Sequence, residues 1–369
     1  MSKTKPYKFY AMDHSYYSGK VRPYLRYKGI PFKEIVSTLW VYKRFIIPRT
    51  GVRFIPVLQS PDDIVVQDTT EIIDFLEQRF PDRPIYPSTP KQKLTTLLFE
   101  LFADEWFLFP AMHYRWSYLN EHKKWLMGEF GRVLSNHAPA PVRRLVGQQL
   151  AKQFHGFLGP LGINQDTGPA IERVYLRVLD LLNTHFQSHD YLLGTRPSMG
   201  DFALAGPLYA HLWLDPYPKQ IMEREAPAVV QWIERINASE QPAGEFLEND
   251  EVPETLNPLL EIIFAEHFPI LSDTVQRVAQ WLEEKPNRAH ISRAIGEHSF
   301  RIGGVSSTRL VFPYSQWMLQ RPLDCYQALE GSERSDVDAW LSHLGGLQAM
   351  QLEIPRRVER RNNRLVAAA

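Results

Sequence analysis

The sequence predicts a small α/β domain at the amino terminus, an all-α domain after it and a mostly helical extension at the carboxyl end. Residues 1–80 alternate short apolar runs with helical patterns, whereas almost every later segment has the apolar periodicity of a helix. Between them lies a proline-rich stretch, 81–90, which interrupts all periodicity and is typical of a linker. The chain of 369 residues is long enough for roughly two to three domains. We expect them at 1–80, 91–246 and 259–369.

The first part of the α/β domain has the pattern of a β-α-β unit. Residues 7–12 form a short apolar and aromatic run that is typical of a strand. A polar turn leads into 16–28, which has helical spacing and stops before Gly29. Residues 31–36 predict a second strand, and a long aromatic and basic connection follows it.

The second part of this domain predicts a hairpin and a closing helix. The two strands are 54–58 and 64–66, around a turn that contains Pro and two Asp residues. Residues 69–80 are amphipathic, and either Asp68 or Thr69 can cap the amino end of this helix.

The remainder of the chain is predicted to be helical, with one further boundary. The stretch 248–258 is acidic and contains prolines, so it separates the all-α domain from the extension. In the extension, 259–284 and 300–344 have apolar periodicity, and a short piece at 301–311 is compatible with a hairpin. The helices of the all-α domain are expected at 91–118, 141–157, 169–186, 199–213 and 227–236.

Composition excludes several classes of protein. Lys and Arg number 42, as do Asp and Glu, so the chain lacks the basic excess of a nucleic-acid binder. The single cysteine, Cys325, excludes an internal disulfide framework and a multi-cysteine zinc site, and it favours a reducing compartment. No apolar run reaches membrane-spanning length, and no HExxH or P-loop motif is present. We therefore expect a cytoplasmic protein without a metal or membrane insertion, and a solvated basic tail at 356–364.

Four segments, in this order, resemble the motifs of the cytosolic glutathione transferase family. Residues 15–22, SYYSGKVR, resemble the turn whose first residue is the catalytic hydroxyl or thiol. Residues 54–58 resemble the strand that contains a cis-proline, and 68–72 the segment that binds the γ-glutamyl group. Residues 194–203 resemble the start of a buried helix in the helical domain. The resemblance covers about residues 5–240 and implies a thioredoxin-like domain followed by the all-helical domain of that family.

The family's chemistry requires a thiolate, which a free thiol with a pKa near 8.5 supplies only to a few per cent at neutral pH. A hydroxyl at the amino end of a helix stabilises the anion through its hydrogen bond and the partial positive charge of the helix end. The resemblance places Ser15 in this catalytic role, and a serine here implies thiolate stabilisation more than mixed-disulfide chemistry. His14 could serve as a base, although a histidine here is more often a solvent-exposed loop residue. Other hydroxyls that could replace Ser15 are those of Tyr10, Tyr16, Tyr17 and Ser18.

The resemblance also implies how the tripeptide is bound. Pro56 would be cis, and the backbone of Ile55 would pair with the cysteinyl part of glutathione. Asp68 would take the ammonium of the γ-glutamyl group, Thr69 its carboxylate, and Gln67 would assist. The glycyl carboxylate requires a basic residue of the connection between the second and third strands, and Arg53, Lys43, Arg44 and Arg49 are all candidates.

Two further sets of residues are the candidates for binding the second substrate and for stabilising the fold. Tyr16, Tyr17, Trp106 and Tyr114 are the candidates for an apolar wall that accepts an electrophile. Ser198 and Asp201 have the spacing of a reciprocal helix cap and are expected to stabilise the fold only. These residues predict a glutathione-dependent transferase or lyase that attacks a small, hydrophobic electrophile, and family members commonly form homodimers. The alternative is a glutathione-binding or scaffold protein without catalysis.

Overall fold

A computed structural model describes residues 5–132, 138–238 and 243–368. The chain forms two compact units, and each is discontinuous in sequence. The first unit comprises Met1–Pro84, Ala111–Leu158 and Phe202–Pro242, and the second comprises Ile85–Pro110, Gly159–Asp201 and Ala243–Ala369. The division into 1–80, 91–246 and 259–369 stays a prediction.

A four-stranded mixed sheet lies at the start of the first unit. The strands are β1 (Tyr7–Ala11), β2 (Phe32–Val36), β3 (Val57–Gln59) and β4 (Val65–Gln67), in the spatial order β2-β1-β3-β4. β1 and β2 are parallel and are joined by helix α1 (Ser18–Tyr27), whereas β3 is antiparallel to both β1 and β4. This arrangement confirms the predicted β-α-β unit and hairpin, and it is the thioredoxin-like topology that was expected.

The connection between β2 and β3, for which the sequence analysis predicted no secondary structure, is helical. It consists of α2 (Leu39–Val41), a π-helical turn (Tyr42–Ile46) and α3 (Ile47–Thr50). Val41 and Ile46 are buried there and form a core cluster with residues of β1 and β3. Burial of these two side chains against the sheet explains the helical conformation, which local propensity did not indicate.

Helices make up most of the remaining chain up to residue 238. They are α4 (Thr69–Arg79), α5 (Pro90–Leu101), a π-helical segment (Phe102–Trp106), α6 (Leu108–Ser117), α7 (Leu119–Gly131), α8 (Ala140–His155), α9 (Thr167–Phe186), α10 (Met199–Ala210), α11 (Pro216–Glu225) and α12 (Pro227–Ile236). The sequence did not predict α7 and α11. Within α7, His122 departs from regular helical geometry, with φ of −138°.

The predicted cap at the start of α10 is confirmed. Asp201 is fully buried, and its Oδ2 accepts hydrogen bonds from the Ser198 N–H and hydroxyl, both at 2.8 Å. Its Oδ1 accepts a third bond from the Leu192 N–H at 3.0 Å. The carboxylate therefore satisfies donors of the helix end and of the loop before it, which is a structural role.

The extension contains helices and two hairpins. Its helices are a 3-10 turn (Glu254–Leu256), α13 (Asn257–Ile262), a π-helical segment (Ile263–His267), α14 (Phe268–Glu284), α15 (Tyr314–Gln327), α16 (Gly331–His343) and α17 (Leu347–Met350). The first hairpin joins β5 (Glu297–Ile302) and β6 (Val305–Leu310) through Gly303 and Gly304, both with positive φ. Two glycines suit this two-residue turn because both central positions need that conformation. The hairpin expected near 301–311 is thus present.

The arginines of the basic tail are mostly exposed, as expected, but the segment that carries them is folded. Strands β7 (Val358–Arg361) and β8 (Arg364–Ala367) form a second hairpin around Asn362 and Asn363, whose φ values are 50° and 62°. Val358 is 1% exposed and packs in a cluster with Trp281 of α14. Its arginines masked this hairpin in the sequence, because one face of each strand carries charge while the other is partly buried.

Two absences apply to the described part of the chain. No helix within residues 5–132, 138–238 and 243–368 is both long and apolar enough to cross a bilayer. Over the same residues, no group of three or more His, Cys, Asp or Glu side chains could hold a metal ion.

Candidate functional site

Ser15 lies in the turn between β1 and α1, at the amino end of the helix. Its Oγ accepts a hydrogen bond from the Ser18 N–H at 3.4 Å, and its carbonyl accepts from the Gly19 N–H at 3.0 Å. A hydroxyl that accepts one N–H still has its own proton to donate. The structure therefore places Ser15 where the resemblance implies, half-buried and able to donate to an anion at the helix end.

The turn packs directly on α10 and is anchored by a buried arginine of α1. A Cβ added to Gly206 would lie 2.9 Å from the carbonyl oxygen of Tyr16, so glycine is required for this approach. Arg22 donates to the Met12 carbonyl at 3.3 Å and forms two bonds with Glu34, at 2.8 and 2.7 Å. The backbone around Ser15 is therefore held by the packing of α10 on Tyr16 and by the hydrogen bond from Arg22 of α1 to Met12.

The other candidate hydroxyls are engaged in structural contacts. Tyr10 donates to Gln59 Oε1 at 3.0 Å and stacks on Phe45 with ring centroids 4.1 Å apart. Burial raises the pKa of the Tyr10 phenol, so the neutral form is favoured. Ser18 is fully buried, and its Oγ accepts from the Met12 N–H at 3.4 Å.

His14 is neutral at physiological pH. Burial lowers its pKa to about 3, assisted by the positive charges of Arg115, Arg132 and Arg22. A base with this pKa binds a proton poorly near pH 7. The interpretation of His14 as a base is therefore not supported by its surroundings.

A second helix end carries the residues predicted to bind the γ-glutamyl group. The Ile55–Pro56 bond is cis, as the resemblance implies. Asp68 lies between β4 and α4 with φ of 96° and ψ of 139°, and its Oδ1 accepts from the Thr70 N–H at 3.0 Å. Gln67 and Thr69 flank it and are buried, at 4% and 3% exposure. The structure thus brings three of the predicted binding residues together at the amino end of α4.

Lys20 of α1 was not predicted and belongs to this region. Its side chain is fully buried, and its Nζ donates to Thr70 Oγ1 at 3.3 Å. An ammonium group beside the amino end of α4 adds positive charge where a carboxylate would bind. One signal in the sequence could have indicated Lys20, namely its position within the motif that forms the turn and α1. A lysine is almost never fully buried unless it is paired.

The four candidate cations of the β2–β3 connection differ in their surroundings. Arg49 Nη1 donates a hydrogen bond to Asp63 Oδ1 at 3.1 Å, and Arg49 Nη2 donates another to the Asp63 carbonyl at 2.9 Å. Lys43, Arg44 and Arg53 are exposed on the surface. A role of Arg53, or of another of these cations, in binding the glycyl carboxylate stays a prediction.

The aromatic residues predicted to contact the electrophile are largely internal. Tyr16 is 5% exposed and packs edge-on against His211, with centroids 5.4 Å apart. Tyr114 is 1% exposed and stacks on Tyr118. In the second unit, Trp106 has no exposed surface and stacks on Phe102. Only Tyr17 is half-buried, so these side chains mainly form the core, and their role as an apolar wall stays a prediction.

A cleft of about 520 Å³ lies beside the Ser15 turn and was not predicted. It is lined by Pro216 and by residues along most of α7, including Lys123, Lys124, Trp125 and Glu129. The ring of His14 contacts Trp125 edge-on at 4.9 Å, and its Nδ1 lies 3.8 Å from Glu129 Oε2. The cleft therefore borders on the residue that precedes Ser15. No local motif in the sequence indicates it, because α7 itself was not predicted.

Comparison with known proteins agrees with this architecture. Residues 9–84 match the family model described as glutathione S-transferase, N-terminal domain, and residues 165–235 match that described as glutathione S-transferase, C-terminal domain. Residues 85–164, which include α7 and α8, lie between the two matches. No curated protein sequence matches the chain.

Several solved structures are similar to this chain at low sequence identity. The beta-etherase LigF from Sphingobium sp. is 20% identical with a TM-score of 0.46, over 65% of this chain and 97% of its own. A glutathione S-transferase from Rhodospirillum rubrum is 17% identical with a TM-score of 0.42, over 67% and 96%. One from Methylobacterium radiotolerans, in complex with glutathione sulfonate, is 20% identical with a TM-score of 0.39, over 67% and 100%. At these TM-scores, the likenesses carry no argument about activity.

Proposed function

Because this chain belongs to the glutathione S-transferase family, we propose that it binds glutathione on its amino-terminal domain and transfers it to a small electrophile. Ser15 donates a hydrogen bond to the glutathione sulfur and keeps it as a thiolate. The thiolate attacks the electrophilic carbon, a carbon–sulfur bond forms, and the leaving group departs with the bonding electron pair. Lyase chemistry on an ether follows the same step with an alkoxide or phenoxide as the leaving group.

A single hydroxyl group is sufficient to lower the pKa of the bound thiol. A hydrogen bond to a charged group contributes about 1.5 to 3 kcal/mol, and one pKa unit corresponds to about 1.4 kcal/mol. The Ser15 hydroxyl therefore lowers the pKa of the bound thiol by roughly one to two units. The partial positive charge at the amino end of α1 acts in the same direction.

The observation that carries the glutathione assignment is the conformation of Asp68. A φ of 96° is rare for a residue other than glycine and costs of the order of 1–3 kcal/mol. Such conformations persist mainly at binding and catalytic sites, where they place a side chain that a relaxed backbone would not. Here the carboxylate lies at the end of α4, and we assign it to the ammonium of the γ-glutamyl group. Thr69 and Lys20 are assigned to the γ-glutamyl carboxylate.

We place the electrophile in the cleft of α7. Trp125 supplies a flat apolar surface, and the contact of His14 with Trp125 brings this surface close to the Ser15 turn. Lys123 and Lys124 line the cleft together with Glu121 and Glu129, so its charged groups balance and the ring of Trp125 is the feature that selects a substrate. An aryl compound fits this apolar surface.

Retention on immobilised glutathione tests the assignment. We expect the wild-type protein to be retained and Asp68→Ala to lose retention, because the γ-glutamyl ammonium loses its counter-charge. Asp62→Ala is the matched control, since Asp62 is an exposed aspartate paired with Arg79 on the same domain. Failure of the wild-type protein to bind, or equal retention of Asp68→Ala, would contradict the proposal.

Measurement of turnover distinguishes a catalytic protein from one that only binds glutathione. A protein that binds glutathione but conjugates no member of a panel of aryl electrophiles would support the non-catalytic alternative.

The homodimer stays a prediction that the resemblance implies.

A further inference from the structure

We infer that Arg115 is a positioning residue for Ser15: its guanidinium group, oriented by Asp215, holds the turn that presents the Ser15 hydroxyl to the glutathione thiol. The inference rests on the proposed function. It concerns residues of the first unit only, and Arg115 itself has no role in the resemblance from which Ser15 was predicted.

One guanidinium group joins the turn to the helical part of the first unit. Arg115 of α6 is 2% exposed and bonds to both carboxylate oxygens of Asp215, with Nε–Oδ2 at 2.6 Å and Nη2–Oδ1 at 2.7 Å. Nη2 also donates to the carbonyl of Ala210, at the end of α10, at 2.8 Å. Nη1 donates to the carbonyl of His14 at 3.1 Å. The residue whose carbonyl is held is the one directly before Ser15.

The same group acts on the other side of Ser15 through His211. Nη1 of Arg115 lies 2.8 Å from His211 Nε2. Because an arginine only donates, Nε2 must be the acceptor, and the proton is then on Nδ1, which faces the Ala111 carbonyl at 3.3 Å. Burial and the positive charge of Arg115 hold the pKa of His211 well below its usual value, consistent with this neutral tautomer. The ring of His211 packs edge-on against Tyr16, so the residues before and after Ser15 are both fixed.

The arrangement is better suited to orientation than to stability. A buried ion pair often contributes little net stability, because the desolvation of both charges offsets their attraction. The planar fork of an arginine, however, fixes direction, since both nitrogens that face Asp215 are committed and the third points at the turn. A lysine at this position would keep the charge and lose the geometry. The positive charge of Arg115 also contributes to the lowered pKa of His14, and a thiolate in the same place would be stabilised by the same sign of potential.

Several charged and titratable groups face the turn that carries Ser15, and they would all contribute to the pH dependence of a thiol bound there. On α1 and the sheet these are Arg22, Asp13 and Glu34. The helical part contributes Arg115 with Asp215, His211, Glu129 and Arg132. Replacement of Arg115 by glutamine is expected to alter the orientation of Ser15 and to remove one cation from this set, and both changes would raise the pKa of a thiol bound there.

Three variants test the inference: Arg115→Gln, Arg115→Lys and the control Arg321→Gln. Arg321 is also a mostly buried arginine, 3.3 Å from Glu100, but it belongs to the second unit. For each folded variant we would measure kcat, KM for glutathione, and the pKa of the bound thiol from the ultraviolet absorbance of the thiolate against pH. We expect Arg115→Gln to lower kcat about tenfold or more and to raise the thiol pKa by about one unit, with KM for glutathione changed less than about threefold. Arg321→Gln should lower thermal stability and leave the thiol pKa unchanged.

Arg115→Lys keeps the test decisive if the glutamine variant does not fold. It retains the cation, so a thiol pKa raised toward that of Ser15→Ala would support a role in orientation. A wild-type protein that binds glutathione and depends on Ser15, combined with unchanged kcat and thiol pKa in the folded Arg115 variants, would overturn this inference alone. A wild-type protein that does not bind glutathione would instead overturn the proposed function, and this inference with it.

Discussion

Replacement of Ser15 by alanine distinguishes a catalytic role of its hydroxyl group from a role as a helix cap only. The Ser15 Oγ–Ser18 N distance of 3.4 Å lies beyond the usual 2.7–3.2 Å of an N–H···O bond, so the cap is weak. Loss of a weak cap costs about 0.5 kcal/mol. Loss of a hydrogen bond to a thiolate costs about 1.5 to 3 kcal/mol, which corresponds to roughly 10-fold to 150-fold in rate below the thiol pKa. We therefore expect a large loss of activity with a small loss of stability.

The assay is conjugation of an aryl halide at saturating glutathione, with urea unfolding measured on the same preparations. Thr38→Ala is the matched control, because the Thr38 hydroxyl caps α2 through a comparable 3.3 Å bond from the Val41 N–H. Its effect on stability should resemble that of Ser15→Ala, and its effect on kcat should be small. A Ser15→Ala protein that loses as much stability as the control and retains full kcat would refute the reasoning, since Ser15 would then be a cap only.

Three further outcomes are expected. Asp201→Ala should reduce the free energy of unfolding by at least about 3 kcal/mol in urea titrations, because its carboxylate accepts three buried hydrogen bonds; a loss below about 1 kcal/mol would contradict this role. Trp125→Ala should raise KM for an aryl electrophile several-fold and leave KM for glutathione unchanged; an equal change in both would argue against the cleft of α7 as the electrophile site. Acid should destabilise the protein, because three buried histidines have a pKa lowered to about 3 and so bind fewer protons in the folded than in the unfolded state. Stability should therefore fall as the pH drops below about 6.5, by up to about 1.4 kcal/mol per pH unit for each histidine, and a flat unfolding profile between pH 7 and pH 5 would contradict this. The three are His14, His185 and His267.

Local patterns were sufficient for the elements that carry the proposed glutathione site. The β-α-β unit, the hairpin of β3 and β4, and α4 with its Asp68 cap are encoded by short runs, turn residues and caps within a few positions of one another. The cap of Ser198 and Asp201 is equally local, and it was predicted correctly for the same reason. Motifs of this kind can be recognised without knowing how distant parts of the chain meet.

Elements with irregular or mixed patterns were missed. Neither α7, which departs from regular helical geometry at His122, nor the cleft that it lines was predicted. The hairpin of β7 and β8 is rich in arginine, and it is held by packing of Val358 in the cluster of Trp281 and by hydrogen bonds between Gln320 and Val358. In both cases, the contacts that stabilise the element come from other parts of the chain.

By itself, the sequence determined the resemblance to the family, the order of the four strands with α1 and α4 in the amino-terminal domain, and the positions of Ser15 and Asp68 at two helix ends, because these depend on residues that are neighbours along the chain. Tertiary structure alone decided what surrounds them. Arg115 is 101 residues from the carbonyl of His14 and 100 residues from Asp215, and Lys20 is 50 residues from Thr70. A hydrogen bond depends on distance and angle in space, and a local pattern does not specify which remote side chain will arrive at a given backbone oxygen.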